Sequence, residues 1–250
     1  MTLAGRVALV TGAAGAGMGR SIALTLARDG ADIILNYRRP REDWGADVRA
    51  AIEAMGRRAL ALQADVGDPG AVTQMFGEAT QRFGRVDIVV NSAGGAWRPQ
   101  DVTEIEPEHL RGVLAAEIES VYYLLRATLP GMRARGWGRI VSVGGYLTDD
   151  WRFGPPDAPL DYPLGKAARH WLTRTLAPFE LPRGITINAV APGPTRRVSL
   201  EEAIAAARDG RVEAGENTPQ TVAEVVAFLC GDAAARVSGA VIPIPGSRPV

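Results

Sequence analysis

Cysteine is almost missing from this sequence. Cys230 is the only one in 250 residues, which excludes an intramolecular disulfide and a thiolate zinc cluster. Histidine is nearly as scarce: His109 and His170 stand alone and far apart, so no metal centre is expected. Neither sign of charge is in excess, with 28 Lys and Arg against 28 Asp and Glu, which argues against a nucleic-acid-binding protein. Long apolar runs are absent too. Arg, Asp or Glu interrupts each one before membrane-spanning length, and the start Met1 to Val7 lacks the apolar stretch and cleavage site of a signal peptide. A cytoplasmic protein in a reducing compartment is therefore expected, with no membrane partner. At 46% apolar and 22% charged residues the chain has globular composition, and a single domain over residues 1–250 is the economical expectation.

What is present is a repeated alternation. Short Val- and Ile-rich runs occur at Val7 to Val10, Ile33 to Leu35, Ala59 to Leu62, Val86 to Val90, Ile140 to Val143, Ile185 to Val190 and Ala240 to Ile244. They are nearly continuous instead of alternating, as suits strands buried on both faces of a parallel sheet. Between them lie segments of helical spacing closed by glycine: Ile22 to Ala27, Trp44 to Met55, Val72 to Phe83 and Leu110 to Met132. The fold class is α/β, a doubly wound sheet of seven mainly parallel strands with helices on both faces. The stretch from Tyr146 to Tyr162 is the one long irregular connection, of the kind that is usually functional or mobile.

Directly after the first strand, Thr11-Gly12-Ala13-Ala14-Gly15-Ala16-Gly17-Met18-Gly19-Arg20 opens a helix. Glycines there allow a tight turn and let backbone N–H groups approach a pyrophosphate, and the helix N-terminus adds partial positive charge. The competing reading is an ordinary flexible turn. At the end of the second strand, where an acid often holds the adenosine ribose, stand Asn36, Tyr37, Arg38 and Arg39. Two guanidinium groups there suit the 2′-phosphate of NADP, by charge and by stacking on adenine, although a solvated basic turn is the plainer alternative. Asp65 and Val66, after the third strand, suit an adenine-edge contact.

These residues resemble the short-chain dehydrogenase/reductase family over nearly the whole chain. Five motifs appear in the family's order: Thr11 to Gly19, Asp65-Val66, Asn91-Ser92-Ala93-Gly94, Tyr162-Pro163-Leu164-Gly165-Lys166 and Pro192-Gly193. The resemblance implies a Rossmann-like nicotinamide-nucleotide domain. Gly12, Gly17, Met18 and Gly19 would sit at the phosphates, Asn91, Ala93 and Gly94 along the ribose and adenine side, and Pro192, Gly193 and Thr195 against the nicotinamide. Tyr162 and Lys166, four apart on a helix, share a face. A neighbouring ammonium lowers a phenol's pKa, so Tyr162 could pass a proton to or from a carbonyl oxygen, while Lys166 would also grip the nicotinamide ribose. A buried Tyr with a snorkelling Lys is the structural alternative.

Two positions depart from the family. Ungapped alignment of Gly138 to Gly145 puts Gly145 where the family's serine stands, and the helix from Val113 to Val121 puts Glu117 where its asparagine stands. A missing hydrogen-bond donor of that kind costs about 10²–10³ in rate. Ser142 is expected on the opposite side of the strand from Gly145, whereas Tyr146 and Thr148 could reach the same space. Glu117 is either the site's own acid or base, a carboxylate offsetting the pull of Lys166 on the phenol, or a solvated helix residue beside Glu119. The glycine loop is one residue looser than usual, with the slack among Ala13 to Ala16.

Trp97, Tyr146, Trp151 and Phe153 fall in segments that should overhang the nicotinamide, where they would wall an apolar or aromatic substrate, or else cover the core or a subunit contact. Substrate loops are expected at 146–161 and 194–218, the second carrying a short helix from Leu200 to Arg208. The expected function is an NADP(H)-dependent oxidoreductase acting on a bulky ketone or secondary alcohol. A non-redox dehydratase, cyclase or isomerase on the same scaffold, and a catalytically silent nucleotide-binding subunit, are the alternatives. The resemblance also implies a homotetramer or dimer built on the helices around Leu110 to Met132 and Tyr162 to Phe179.

Overall fold

The protein is described by a computed structural model over residues 2–39, 44–95, 98, 100–148, 160–210, 212 and 217–246. In chain order its elements are β1 (Val7–Val10), α1 (Met18–Arg28), β2 (Asp32–Tyr37), α2 (Trp44–Ala54), β3 (Ala59–Gln63), α3 (Pro69–Phe83), β4 (Ile88–Asn91), α4 (Pro107–Leu114), a π turn (Ala115–Glu119), α5 (Ser120–Arg135), β5 (Gly138–Val143), α6 (Asp161–Glu180), β6 (Ile185–Pro192), α7 (Leu200–Asp209), α8 (Pro219–Cys230) and β7 (Val241–Ile244). The seven strands form one sheet in the order β3-β2-β1-β4-β5-β6-β7, and every neighbouring pair is parallel.

Every strand but the edge strand β7 feeds an apolar layer on either side, which is why the runs read as continuous. Ala8, Val10, Ile33, Leu35, Val141 and Val190 pack under α1 and α8, while Leu9, Ile34, Val89, Ile140 and Ile187 pack under α3, α5 and α6. Left-handed glycines end helices as expected at Gly84 after α3 and Gly136 after α5, and Gly210 does the same after α7. The edge strand β7 tolerates the exposed Pro243, which leaves no central ladder hydrogen bond unmade.

Three expectations need correction. The fourth strand begins at Ile88 and not at Val86; just before it, the buried Asp87 carboxylate accepts the Val7 N–H and pairs with Arg85 and Arg135. The expected helix from Leu110 to Met132 runs from Pro107 to Arg135 and carries the π turn in its middle. Helix α8 had no counterpart in the sequence reading; Thr218, Pro219 and Thr221 make its capped start, but it is buried on nearly every face and so lacks a periodic apolar stripe. Among the described residues no helix is long and apolar enough to cross a membrane.

The strand order reverses between β1 and β4, and a crevice at such a reversal is where α/β sheets bind ligands. Thr11 holds its two lips together. Its hydroxyl oxygen accepts the N–H groups of Ser92 (3.0 Å) and Ala93 (2.9 Å), and its proton faces the Asn91 side chain. Thr11→Val keeps the shape but orphans both amides, so it should cost roughly 1–3 kcal/mol in urea unfolding, with the loss growing if water cannot reach them.

Candidate active site

Beyond Thr11, the glycine loop is held close to its neighbours by backbone packing. Gly12 has φ +66°, and a Cβ there would press on Ala93 of the β4 loop at 3.1 Å. A Cβ on Gly19 would meet the Gly12 carbonyl oxygen at 2.6 Å, so α1 lies as close to the loop as a glycine permits. Gly15 and Gly17 face open space, and Gly17 caps α1 with no side-chain hydrogen bond. The first amides of α1 thus have no side-chain acceptor, and the residues fit a phosphate group. Met18 is half-buried behind them.

At the ends of β2 and β3, Arg38 lies exposed with Nη1 3.7 Å from Asp65 Oδ2, while Asp65 Oδ1 accepts the Gly67 N–H. Arg39 is exposed, Tyr37 packs against Gly45, and Val66 is buried beneath. Asn91 is brought to the crevice but turned inward: its side chain is buried between Thr11 and Ser120. Across the sheet, Pro192 accepts the Tyr146 N–H, Gly193 packs on Gly246, and Thr195 donates to Gly193 O and accepts from Asn217.

Tyr162 and Lys166 occupy one face of the first turns of α6, with the Lys166 Nζ 5.2 Å from the centre of the Tyr162 ring. The ammonium is buried. It donates to Val143 O at 3.2 Å and lies 3.1 Å from Glu117 Oε2. Glu117 is fully buried, which excludes the solvated alternative; the π turn swings it inward while Glu119 stays outside, bonded to Tyr123. Its Oε1 accepts the Gly95 N–H at 2.6 Å, and its Oε2 also lies 2.9 Å from Arg169 Nε. That contact is one of charge only, since the Nε–H is directed at the Glu117 carbonyl.

The field differs from the one expected of a Tyr–Lys pair alone. Burial, and then the Glu117 charge, push the Tyr162 phenol up to about 12, against a smaller downward pull from Arg169. Burial and Arg169 push Lys166 down to about 8, with Glu117 opposing. In the nucleotide-free protein the phenol thus lies above its ordinary value instead of below it, because the desolvation cost of phenolate and the Glu117 charge outweigh the pull of Arg169. Just before Tyr162, Asp161 accepts its N–H and lies 3.1 Å from His109 Nε2 of α4.

A model of the family described as enoyl-(acyl carrier protein) reductase matches residues 12–246. The chain belongs to the short-chain dehydrogenase/reductase family. It is 35% identical to the 3-oxoacyl-(acyl-carrier-protein) reductase FabG of Pseudomonas aeruginosa, over 98% of each chain. It is 32% identical to a cyclohexanol dehydrogenase of Rhodococcus, over 98% of this chain and 97% of that one. Among solved structures, a short chain dehydrogenase from Burkholderia cenocepacia in complex with NADP superposes with a TM-score of 0.83 at 34% identity, over 98% of each chain. The protein is an oxidoreductase of this family, which works with NAD(H) or NADP(H).

In this short-chain dehydrogenase/reductase, β5 ends at Val143, so strand alternation does not carry on to Gly145. Side chains added at Gly144 and at Gly145 would both run into α6, the first into His170 and the second into Lys166 at 3.2 Å. Ser142 is the penultimate residue of β5, buried in register with Asn91 of β4 and Ala189 of β6. Thr148 reaches the space beside Gly145, yet with its methyl: a Cβ on Gly145 would sit 2.9 Å from Thr148 Cγ2. The Thr148 hydroxyl turns away and donates to Gly145 O, 3.3 Å from His170 Nδ1. His170 Nε2 accepts the Gly145 N–H, so the neutral tautomer with a proton on Nδ1 completes a closed ring of three hydrogen bonds, as assigned from the network. That ring braces a turn in which Leu147 holds a left-handed φ of 59°.

Tyr146 is half-buried at the mouth, whereas Trp97, Trp151 and Phe153 lie outside the described residues. Sequence reasoning missed Arg169, His170 and Thr11 as parts of the site. For Arg169 the signal was available: it follows Lys166 by one helical turn, facing the acid at 117. Gly145→Ser should lower the melting temperature, because the new Cβ meets the Thr148 methyl, and adding Thr148→Ser should recover most of the loss; differential scanning fluorimetry of both variants tests this.

Proposed function

We propose that this protein is an NADP(H)-dependent carbonyl reductase, reducing a bulky ketone to a secondary alcohol, with Tyr162 as the proton donor. The observation that carries the reading is the half-buried Tyr162 ring over the buried Lys166 ammonium, at the same sheet edge as the open glycine loop. A nicotinamide nucleotide on that loop supplies the hydride. Gly12, Gly15, Gly17 and Gly19 let backbone amides approach its phosphates, Met18 backs them, Asp65 and Val66 flank the adenine, and Ala93 and Gly94 line the ribose side. Pro192, Gly193 and Thr195 bound the nicotinamide end.

A phenol held neutral well above pH 7 is in the protonated form that reduction requires. As the proton leaves Tyr162, the Lys166 ammonium offsets the charge left on the phenol oxygen. Glu117 does not suit a direct acid or base role: it is fully buried, with the Gly95 amide, Lys166 and Arg169 already around its oxygens. Tyr146, together with Trp97, Trp151 and Phe153 of the same loops, would wall an apolar pocket, in keeping with the relative named for cyclohexanol. A dimer or tetramer on α5 and α6 is supported by Tyr122, Trp171 and Phe179, each more than half exposed on those helices.

Reduction of a cyclic ketone panel, followed by NADPH consumption, tests the reading directly. Tyr162→Phe should lower kcat by about 10²–10⁴ while leaving NADPH binding intact. The reductive rate should fall as pH rises past about 8, where Lys166 loses its charge, and the reverse oxidation should climb toward alkaline pH, where phenolate forms. No NADPH consumption with any ketone, despite tight NADPH binding, would move the assignment to a non-redox or silent role. Arg38 is the proposed partner of the 2′-phosphate, so Arg38→Ala should raise the Kd for NADPH by about tenfold and leave that for NADH unchanged, as read by nicotinamide fluorescence.

A further inference from the structure

Arg169 heads the fully buried side chains of the described molecule, and nothing in the reductase reading uses it. A guanidinium taken out of water is costly unless it is paired and its donors are filled. Here the donors are filled by five backbone carbonyls. Nε bonds to Glu117 O, Nη1 to Asn91 O and Val143 O, and Nη2 to Ala93 O and Ala116 O. These acceptors are neutral. The negative charge beside the guanidinium is Glu117 Oε2, 2.9 Å from Nε, the same oxygen that lies 3.1 Å from Lys166 Nζ.

The backbone is shaped around that acid. A Cβ on Gly94 would collide with Glu117 Oε1, one on Gly165 would collide with its Cβ and Cγ, and the π turn itself aims the side chain inward. Glu117, Lys166 and Arg169 together carry one net positive charge, the same as a lone lysine. We propose that Arg169 is a positioning residue for Tyr162 and Lys166: it cancels the charge of Glu117, so that the buried acid can hold the ammonium without removing its electrostatic pull on the phenol.

The proposal rests on Tyr162 acting as the acid. Glu117 and Arg169 act on that phenol in opposite directions, the first raising and the second lowering its pKa. Among the described residues, the other titratable groups nearby include Asp161, paired with His109 of α4, and His170, engaged with Gly145 and Thr148 at the end of β5. None of these is altered in the test.

The experiment is an alkaline titration of tyrosinate ultraviolet absorbance in the nucleotide-free protein, with a Tyr162→Phe background subtracted in each case. Glu117→Gln should bring the Tyr162 transition down by about one pH unit or more, since the Arg169 charge then acts on the phenol with no acid to oppose it. Arg169→Met should move it upward. The double variant Glu117→Gln/Arg169→Met should return to within about half a unit of the unsubstituted protein. If Arg169→Met fails to fold but the double variant folds and titrates like the parent, the proposal is supported, because the uncancelled acid is then what the fold cannot hold. An unmoved transition in Glu117→Gln overturns it. So does a double variant that fails to fold, since Arg169 would then serve as a brace for five carbonyls and not as a counter-charge. Tyrosinate absorbance needs neither nucleotide nor ketone, so this outcome is separable from whether the protein reduces a carbonyl.

Discussion

Three charges buried together under the carboxyl edge of the sheet are the constraint around which this site is arranged. Lys166 and Arg169 each lie against Glu117, and all three are almost wholly out of water. Desolvating each ion costs several kcal/mol, so the cluster persists only where geometry brings opposite charges together and fills the remaining donors. The chain meets that demand with backbone. The carbonyls of Asn91 and Ala93 after β4, of Val143 at the end of β5, and of Ala116 and Glu117 in the π turn all converge on Arg169. One side chain of α6 thereby links β4, β5 and the α4–α5 helix where the crevice opens.

Polar groups do similar work on the neighbouring walls. Thr11 ties the end of β1 to the β4 loop, so the glycine loop and the loop from Asn91 to Gly95 keep a common shape. His170 closes the turn after β5 through Gly145 and Thr148. Where a side-chain hydroxyl at position 145 would have faced Lys166, there is a methyl group from Thr148, and the hydroxyl of that residue is directed back into its own turn. The space beside Gly145 is consequently lined there by a methyl group and the Lys166 stem.

The alternation of strand and helix, the parallel sheet and the glycine loop were legible because each follows from local pattern: continuous Val- and Ile-rich runs, glycine at helix ends, and glycines between a strand and a helix. Tyr162 and Lys166 were legible for the same reason, being four apart on one helix. The inward turn of Glu117 was legible only in part: the family register pointed it toward Lys166, while local pattern left it open. Position 117 lies next to Glu119 in a helix whose regular period would leave either residue free to face water, and the single π turn that separates them has no local signature in Ala115 to Glu119. Alternation of side chains failed at Gly145 because the strand stops two residues earlier.

By itself the sequence determined which chemistry-bearing groups exist and the order in which they reach the edge of the sheet, since backbone propensity and apolar periodicity are local properties of the chain. Tertiary structure alone decided which of those groups are charged neighbours. Arg169 meets Glu117, and Thr148 meets His170, across separations of 52 and 22 residues. The balance of burial against charge at Tyr162 and Lys166 depends on how far each is withdrawn from water, and desolvation is a property of the packed molecule, not of any segment of it.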